Sequence, residues 1–265
     1  MVPEMDYVVV TKNNAETIDA CIQSIFAQGN AHRVIVVVSL KSTDDTIGHV
    51  KALQKEFPKR LVLRYERVGL AYARKLAIGE VVTRYFVFVD GDIELASGWA
   101  NGIYENFCIL EKAGGIVGLL YRNQKQHLYL YNHGKLGIVS SRMFTHNTML
   151  DSDLVKDWNP DNSVNSYEDY LLTKHIQSKG FFCYQVPIFS YHRHQGSDIK
   201  AAAWGAAGGR KLGYFGRVRL FKEAFVGVIG GFKRTVIMRD RYFLMFALRQ
   251  MIGMLYGYLR WTRFV

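Results

Sequence analysis

Proline and cysteine are scarce, four and three among 265 residues. Cys21, Cys108 and Cys183 are odd in number and lack C-x-x-C spacing, so they suggest neither a disulfide framework nor a structural zinc site. A reducing, cytoplasmic setting is therefore expected. The start of the chain lacks the basic and apolar regions of a signal peptide. Met1 to Asp6 carries two acids and runs directly into a strand-like segment, so the mature protein is expected to begin near Met1. No repeat or low-complexity stretch occurs. With 49% hydrophobic and 22% charged residues the chain is not generally disordered. It has material for one larger domain, or a domain with an appendage.

Acidic residues almost vanish from the last quarter. Residues 200–265 hold 13 Lys and Arg against 2 Asp and Glu, whereas residues 1–199 hold 21 of each, so the whole net charge of +11 lies in the tail. Such asymmetry implies an anionic partner for that segment, either a membrane surface or a nucleic acid.

From Tyr7 onward apolar runs alternate with amphipathic stretches. Tyr7–Val10, Val34–Val38, Leu61–Tyr65 and Tyr85–Val89 read as strands, and Ala15–Phe26, Thr43–Phe57 and Gly69–Ile78 as helices. Unbroken β-branched and aromatic runs between helical patterns predict βαβ units around a buried parallel sheet. Ser42 with Asp45 is a candidate capping box for the second helix. Beyond Asp92 the pattern becomes mixed. Gly114–Tyr121 and Gly137–Ser141 read as strands, Leu171–Ile176 as a helix ended by Lys179 and Gly180, and Phe182–Val186 as a returning strand. Ligands of open α/β sheets bind beyond the carboxyl ends of the strands. Thr11, Ser39 and Asp90–Asp92 should therefore line one crevice.

Asp90-Gly91-Asp92 follows the very apolar Tyr85–Val89. Strand alternation would point both carboxylates the same way, and Gly91 would allow a ligand to approach the backbone. Two hard oxygen ligands suit Mg²⁺ or Mn²⁺. The same D-x-D also occurs as ordinary turn chemistry. Ser166-Tyr167-Glu168-Asp169 is a helix start, where carboxylates are stabilised by the helix dipole without any catalytic role. His192 and His194 fall on one side of an extended segment, as metal ligands, phosphate contacts or plain loop histidines.

Taken together, Val8-Val-Val-Thr11-Lys-Asn13-Asn14, Val36-Val-Val-Ser39-Leu-Lys-Ser42-Thr43-Asp44, Gly69-Leu-Ala-Tyr-Ala73-Arg74 and Phe88-Val-Asp90-Gly-Asp92 resemble family 2 glycosyltransferases of the GT-A fold. Tyr167-Glu168-Asp169-Tyr-Leu and Val186-Pro187 with Tyr191-His192-Arg-His194 extend the resemblance over roughly residues 5–198. It implies a mixed, mainly parallel sheet flanked by helices, and sugar transfer from a nucleotide-diphosphate sugar with inversion at the anomeric carbon. Thr11 and Asn13 then fall in the nucleotide-binding loop, with Asp44 matching the acid of the family's S-T-D segment. Arg74 matches the arginine over the donor site, and Asp90 and Asp92 match the metal pair. A base at the Glu-Asp pair makes Asp169 the first candidate and Glu168 the alternate. A histidine near His192 and His194 sometimes completes the Mn²⁺ shell. Ser39 stands where the family usually has an Asp that contacts the base, and Lys75 where it usually has Asn.

The tail, 208–265, carries two apolar stripes at helical spacing. The first is Phe215, Val218, Phe221, Phe225, Val228 and Phe232; the second is Phe243, Ala247, Met251, Met254, Tyr258 and Trp261. Arg217, Lys222, Arg249, Arg260 and Arg263 interrupt or flank them. Charge-free runs there fall short of the ~20 residues of a spanning helix, so interfacial helices at an anionic membrane are expected. Packing on the catalytic domain, or in a homodimer, is the other reading of the same stripes.

The expected organisation is a catalytic domain over 1–199, with a nucleotide-binding half (1–95) and an acceptor-side half (96–199), followed by a basic helical region over 200–265. The expected activity is transfer to a lipid-linked or glycan acceptor at the cytoplasmic membrane face. A nucleotidyltransferase would want a glycine-rich phosphate loop, which Thr11-Lys-Asn-Asn lacks. A nucleic-acid binder would want a reader motif, and none is found outside the tail.

Overall fold

A computed structural model describes residues 1–121, 137–139, 142–193, 198–260 and 262. The chain forms two compact units, Met1–Asn162 with Asp169–His194, and Ser163–Glu168 with Gln195–Val265.

In the first unit β1 (Met5–Thr11), β2 (Ala31–Ser39), β3 (Leu61–Glu66) and β4 (Tyr85–Asp90) alternate with α1 (Ile18–Phe26), α2 (Thr46–Glu56) and α3 (Leu70–Glu80). The strands lie parallel in the order β3-β2-β1-β4. Val8, Val9, Val34–Val38 and Phe86–Val89 are all buried. Helices cover both faces of a parallel sheet, so neither face selects polar residues and the runs stay unbroken. Large side chains such as Tyr7, Phe86, Phe88 and Trp99 are fully buried, each contributing on the order of 2 kcal/mol.

The chain continues through β5 (Ile93–Leu95), α4 (Trp99–Ile109), β6 (Ala113–Tyr121), β7 (Gly137–Ile138), β8 (Asn147–Asp151), α5 (Glu168–Ser178) and β9 (Phe182–His192). β8 inserts antiparallel between β4 and β6, β9 runs parallel to β6, and β5 and β7 pair antiparallel with β9. Two consequences position the site. The Asp90 amide donates to the His146 carbonyl at 3.0 Å, so the approach to β8 lies beside the exit of β4. The pairing of Ile93 with His192 brings the end of β9 to Asp92.

The helices start and end within a few residues of their expected limits, but the capping box does not form. Asp45 precedes α2 without a side-chain cap, and Asp44 instead accepts from the Thr46 amide at 3.2 Å and the Thr46 hydroxyl at 2.6 Å. Part of the expected Gly137–Ser141 strand lies outside the described residues.

The second unit contains α6 (Asp198–Lys211), α7 (Arg217–Met238) and α8 (Tyr242–Leu259). Small residues let these helices cross closely. A Cβ at Gly257 would lie 1.9 Å from the Ala203 carbonyl, one at Gly253 2.4 Å from that of Ile199, and one at Gly231 2.5 Å from the Ala247 methyl. Arg239, at φ +50°, turns the chain after α7, and Asp240 accepts from the Tyr242 amide at 2.9 Å at the start of α8.

This packing separates the two stripes. Phe243 and Ala247 of the second are buried, whereas Val218, Phe221, Phe225 and Phe232 of the first are exposed and Phe215 is buried. Trp261 and Arg263 lie outside the described residues. Among the described residues no helix is long and apolar enough to cross a membrane.

Candidate active site

Polar side chains knit the first two loops beyond the strand ends into one rim. Asn13, at φ +56°, receives the Thr43 amide on its Oδ1 at 2.8 Å. Asp44 accepts from the Ala15 amide at 2.9 Å, and the Asn14 amide donates to the Thr46 hydroxyl at 2.8 Å. The Thr11 hydroxyl donates to Asn14 Oδ1 at 2.9 Å. Ser39 closes β2, its carbonyl accepting from the Ser42 amide at 2.9 Å. The residues expected to meet the nucleotide therefore also build the loops that would present them.

Thr11 explains Gly91 as well. A Cβ at position 91 would fall 2.5 Å from the Thr11 hydroxyl oxygen, so the side chain of β1 fills the space expected for a ligand. The Thr17 hydroxyl donates to the Gly91 carbonyl at 2.9 Å and holds the turn from the α1 side.

The two carboxylates on either side of Gly91 have different partners. Arg74, buried on α3, donates through Nη2 to Asp90 Oδ1 at 2.9 Å and through Nη1 to the Thr145 carbonyl at 3.4 Å, with its guanidinium 5.0 Å from the Phe88 ring centre. Burial pushes the Asp90 carboxyl up, Arg74 opposes this, and the charges of Asp92 and Asp169 push it further up. Asp92 lies past the end of β4, where its Oδ2 is 3.3 Å from His192 Nε2. Arg193 donates its amide to the Asp92 carbonyl at 2.9 Å and its Nε to Glu94 at 2.6 Å, fixing the end of β9. His194 lies outside the described residues.

Asp169 is buried at the start of α5, with Arg142 Nε donating to its Oδ1 at 2.7 Å. The Arg142 guanidinium lies 4.8 Å from the centre of the half-exposed Phe144 ring, which in turn stacks on His146 at 5.6 Å and 10°. Residues 142–146 thus carry a cation and two rings between the Asp169 carboxylate and the exit of β4. Glu168 is also buried but belongs to the second unit. Sequence reasoning missed Arg142, whose role depends on contact across 27 positions. It also missed the Thr145 and His146 carbonyls, which carry no side-chain signal.

Among the described residues no three His, Cys, Asp or Glu side chains gather into a ready-made cation shell. The donor set nevertheless fits Mn²⁺ or Mg²⁺. Asp92 and His192 already converge, and Asp90 is a half-buried carboxylate whose ionised form a cation would favour. Mg²⁺ characteristically takes one or two protein carboxylates and completes its shell with phosphate and water.

Similarity to known proteins bears on the same segment. The model of glycosyl transferase family 2 matches residues 6–193. A teichoic acid poly(glycerol phosphate) polymerase of Staphylococcus epidermidis is 36% identical over 116 residues, 43% of this chain but only 15% of that protein's length. Among solved structures, the mannosyltransferase PcManGT of Pyrobaculum calidifontis, in complex with GDP-Man and Mn²⁺, superposes with a TM-score of 0.71 at 15% identity. That match covers 97% of this chain and 87% of the other. Glucosyl-3-phosphoglycerate synthase of Mycobacterium tuberculosis, in complex with Mn²⁺, UDP and phosphoglyceric acid, superposes at 0.53 with 18% identity, over 76% and 74%. At these identities the structural matches establish a shared GT-A architecture. With the family match spanning most of the sheet unit, the chain belongs to glycosyl transferase family 2.

Proposed function

We propose that the chain is an inverting glycosyltransferase that uses Mn²⁺ or Mg²⁺, takes its sugar from a nucleotide-diphosphate sugar, and works at the cytoplasmic face of a membrane on a lipid-linked or glycan acceptor. The observation that carries this reading is the convergence of the β4 exit, the end of β9 and the approach to β8, which gathers Asp90, Asp92 and His192 with Arg142 and Asp169 near them. The complexes of the two solved relatives, one with GDP-Man and Mn²⁺ and one with Mn²⁺ and UDP, support the donor class. The match to part of a teichoic acid poly(glycerol phosphate) polymerase supports a polymer-type acceptor.

In this reading residues 1–95 bind the donor, with Thr11, Asn13, Ser39 and Asp44 on the nucleotide side. Asp92, His192 and Asp90 hold the cation, which when bound neutralises the diphosphate leaving group. Arg74 fixes the Asp90 carboxylate. Residues 96–199 supply the acceptor side, where Asp169 accepts the proton of an attacking hydroxyl while Arg142 orients it. Glu168 is the alternate base. Residues 208–265 hold the enzyme at the membrane.

A melting-temperature panel tests donor binding. Nucleoside diphosphates with Mn²⁺ raise the wild-type transition, because a ligand of the native state alone stabilises it, and leave Asp92→Asn unmoved. Equal shifts in both proteins would refute the assignment.

A further inference from the structure

We infer that α7 is the surface by which this protein docks on an anionic lipid bilayer, lying flat with one defined stripe in the interface. The inference deepens the membrane reading above by naming the face.

Val218, Phe221, Phe225, Ile229, Phe232 and Val236 recur at three- and four-residue spacing along α7, and every one is 53–83% exposed. At 100° per residue they fall within an arc of about 80°, along a helix about 33 Å long. The opposite side, Leu220, Ala224 and Gly231, is buried, and Gly231 meets α8. A folded helix that turns its small residues inward and its phenylalanines outward presents an apolar patch of the kind that marks a docking site.

Charge identifies the occupant. The exposed Lys222 and Lys233 border the stripe on one side and Arg217 on the other, while the acid of the helix, Glu223, is paired with Arg219 at 3.0 Å. Residues 200–265 carry the entire +11. A second copy of this face would bring like charges together, whereas anionic headgroups complement the cations as the acyl boundary accepts the rings. α8 buries Phe243 and Ala247 of its expected stripe and exposes Met245, Ile252, Tyr256 and Leu259 on another face, a row without phenylalanine against the three exposed phenylalanines of α7.

The test is flotation of the full chain with vesicles of phosphatidylcholine alone or with about a third phosphatidylglycerol, read alongside sedimentation velocity without lipid. The vesicles contain neither donor nor acceptor, so binding is measured independently of the transferase reading. Wild type floats with the anionic vesicles and sediments as a monomer. Lys222→Ala with Lys233→Ala weakens partitioning about 30-fold, from ~1 kcal/mol per cation near the surface, and the residual binding resists salt. Phe221→Ser, Phe225→Ser and Phe232→Ser together abolish that residue without changing the melting transition. Wild type that ignores anionic vesicles, or sediments as a dimer that the triple variant dissolves, overturns the inference. A triple variant that floats like wild type leaves membrane binding standing and removes α7 from it.

Discussion

Asp6, Arg74 and Asp169 are buried in the sheet unit, each engaged by specific partners, whereas Phe221, Phe225 and Phe232 stand exposed on the helical unit above a seam of glycines. The sheet unit places charge inside, and the helical unit places aromatic surface outside. Each arrangement would cost stability unless something offsets it: partners and ligands for the buried charges, an apolar surface for the rings. On the proposed reading chemistry belongs to the first unit and adhesion to the second, so substitutions should separate the two.

The largest effect is expected at Asp92. Asp92→Asn should lower sugar transfer about a thousandfold, by loss of the several kcal/mol that a cation supplies to the leaving group, with vesicle binding unchanged. Equal activity of variant and wild type, or full wild-type activity in excess EDTA, would break the comparison at its chemical end. Asp169→Asn should cost roughly 10²–10⁴-fold with a hydroxyl acceptor, because a positioned base contributes that much, and far less with an acceptor that attacks through an ionised phosphate. An unaltered rate with the hydroxyl acceptor would place the base elsewhere.

Asp6→Asn separates stability from chemistry. Burial alone would raise the Asp6 carboxyl, but Arg33, the Val82 amide and His32 together bring it below its ordinary 3.8. A carboxyl lowered in the folded state contributes stability that is present above pH 3.8 and lost as pH falls through its folded value. The substitution leaves Arg33 without its carboxylate and should cost on the order of 3 kcal/mol at neutral pH. Urea titrations should show a shallower acid-side loss for the variant, and an unchanged pH slope would contradict the assignment.

In the helical unit, Gly257→Leu should cost about 2 kcal/mol by overpacking the α6–α8 crossing and weaken vesicle binding while leaving Mn²⁺-dependent nucleotide binding intact. The smallest effect is expected at Arg142→Gln, about a tenfold fall in kcat with an unchanged donor KM, because Asp169 loses its guanidinium partner but keeps its charge and the Tyr170 amide on its Oδ1. Arg142→Lys should recover part of it. A change in donor KM alone would move Arg142 to the nucleotide side.

The parallel half of the fold was legible because β1, β2 and β4 are buried on both faces and read as plain apolar runs. β8 was not, since Asn147 and Thr148 look like loop residues. They are buried, with Asn147 donating to Ser190 and Thr148 to the Phe144 carbonyl at 2.5 Å. β5 is three residues long, too short for periodicity, whereas α4 carries a readable signal in Trp99, Ala100, Ile103 and Phe107, which recur at helical spacing and are buried. Asp90, Asp92 and His192 could be named from local motifs and are brought to one strand end. The Arg142–Asp169 pair could not, because nothing in either neighbourhood encodes the other. The tail stripes looked alike in sequence, since helical spacing defines a face without saying what covers it; the inward glycines decide it.

The most direct test of the central claim is sugar transfer from a panel of nucleotide-diphosphate sugars, followed by release of nucleoside diphosphate and by the anomeric configuration of the product. The account predicts transfer with inversion that requires Mn²⁺ or Mg²⁺ and is lost in Asp92→Asn. Transfer that persists in that variant, or a product with retained configuration, would contradict it.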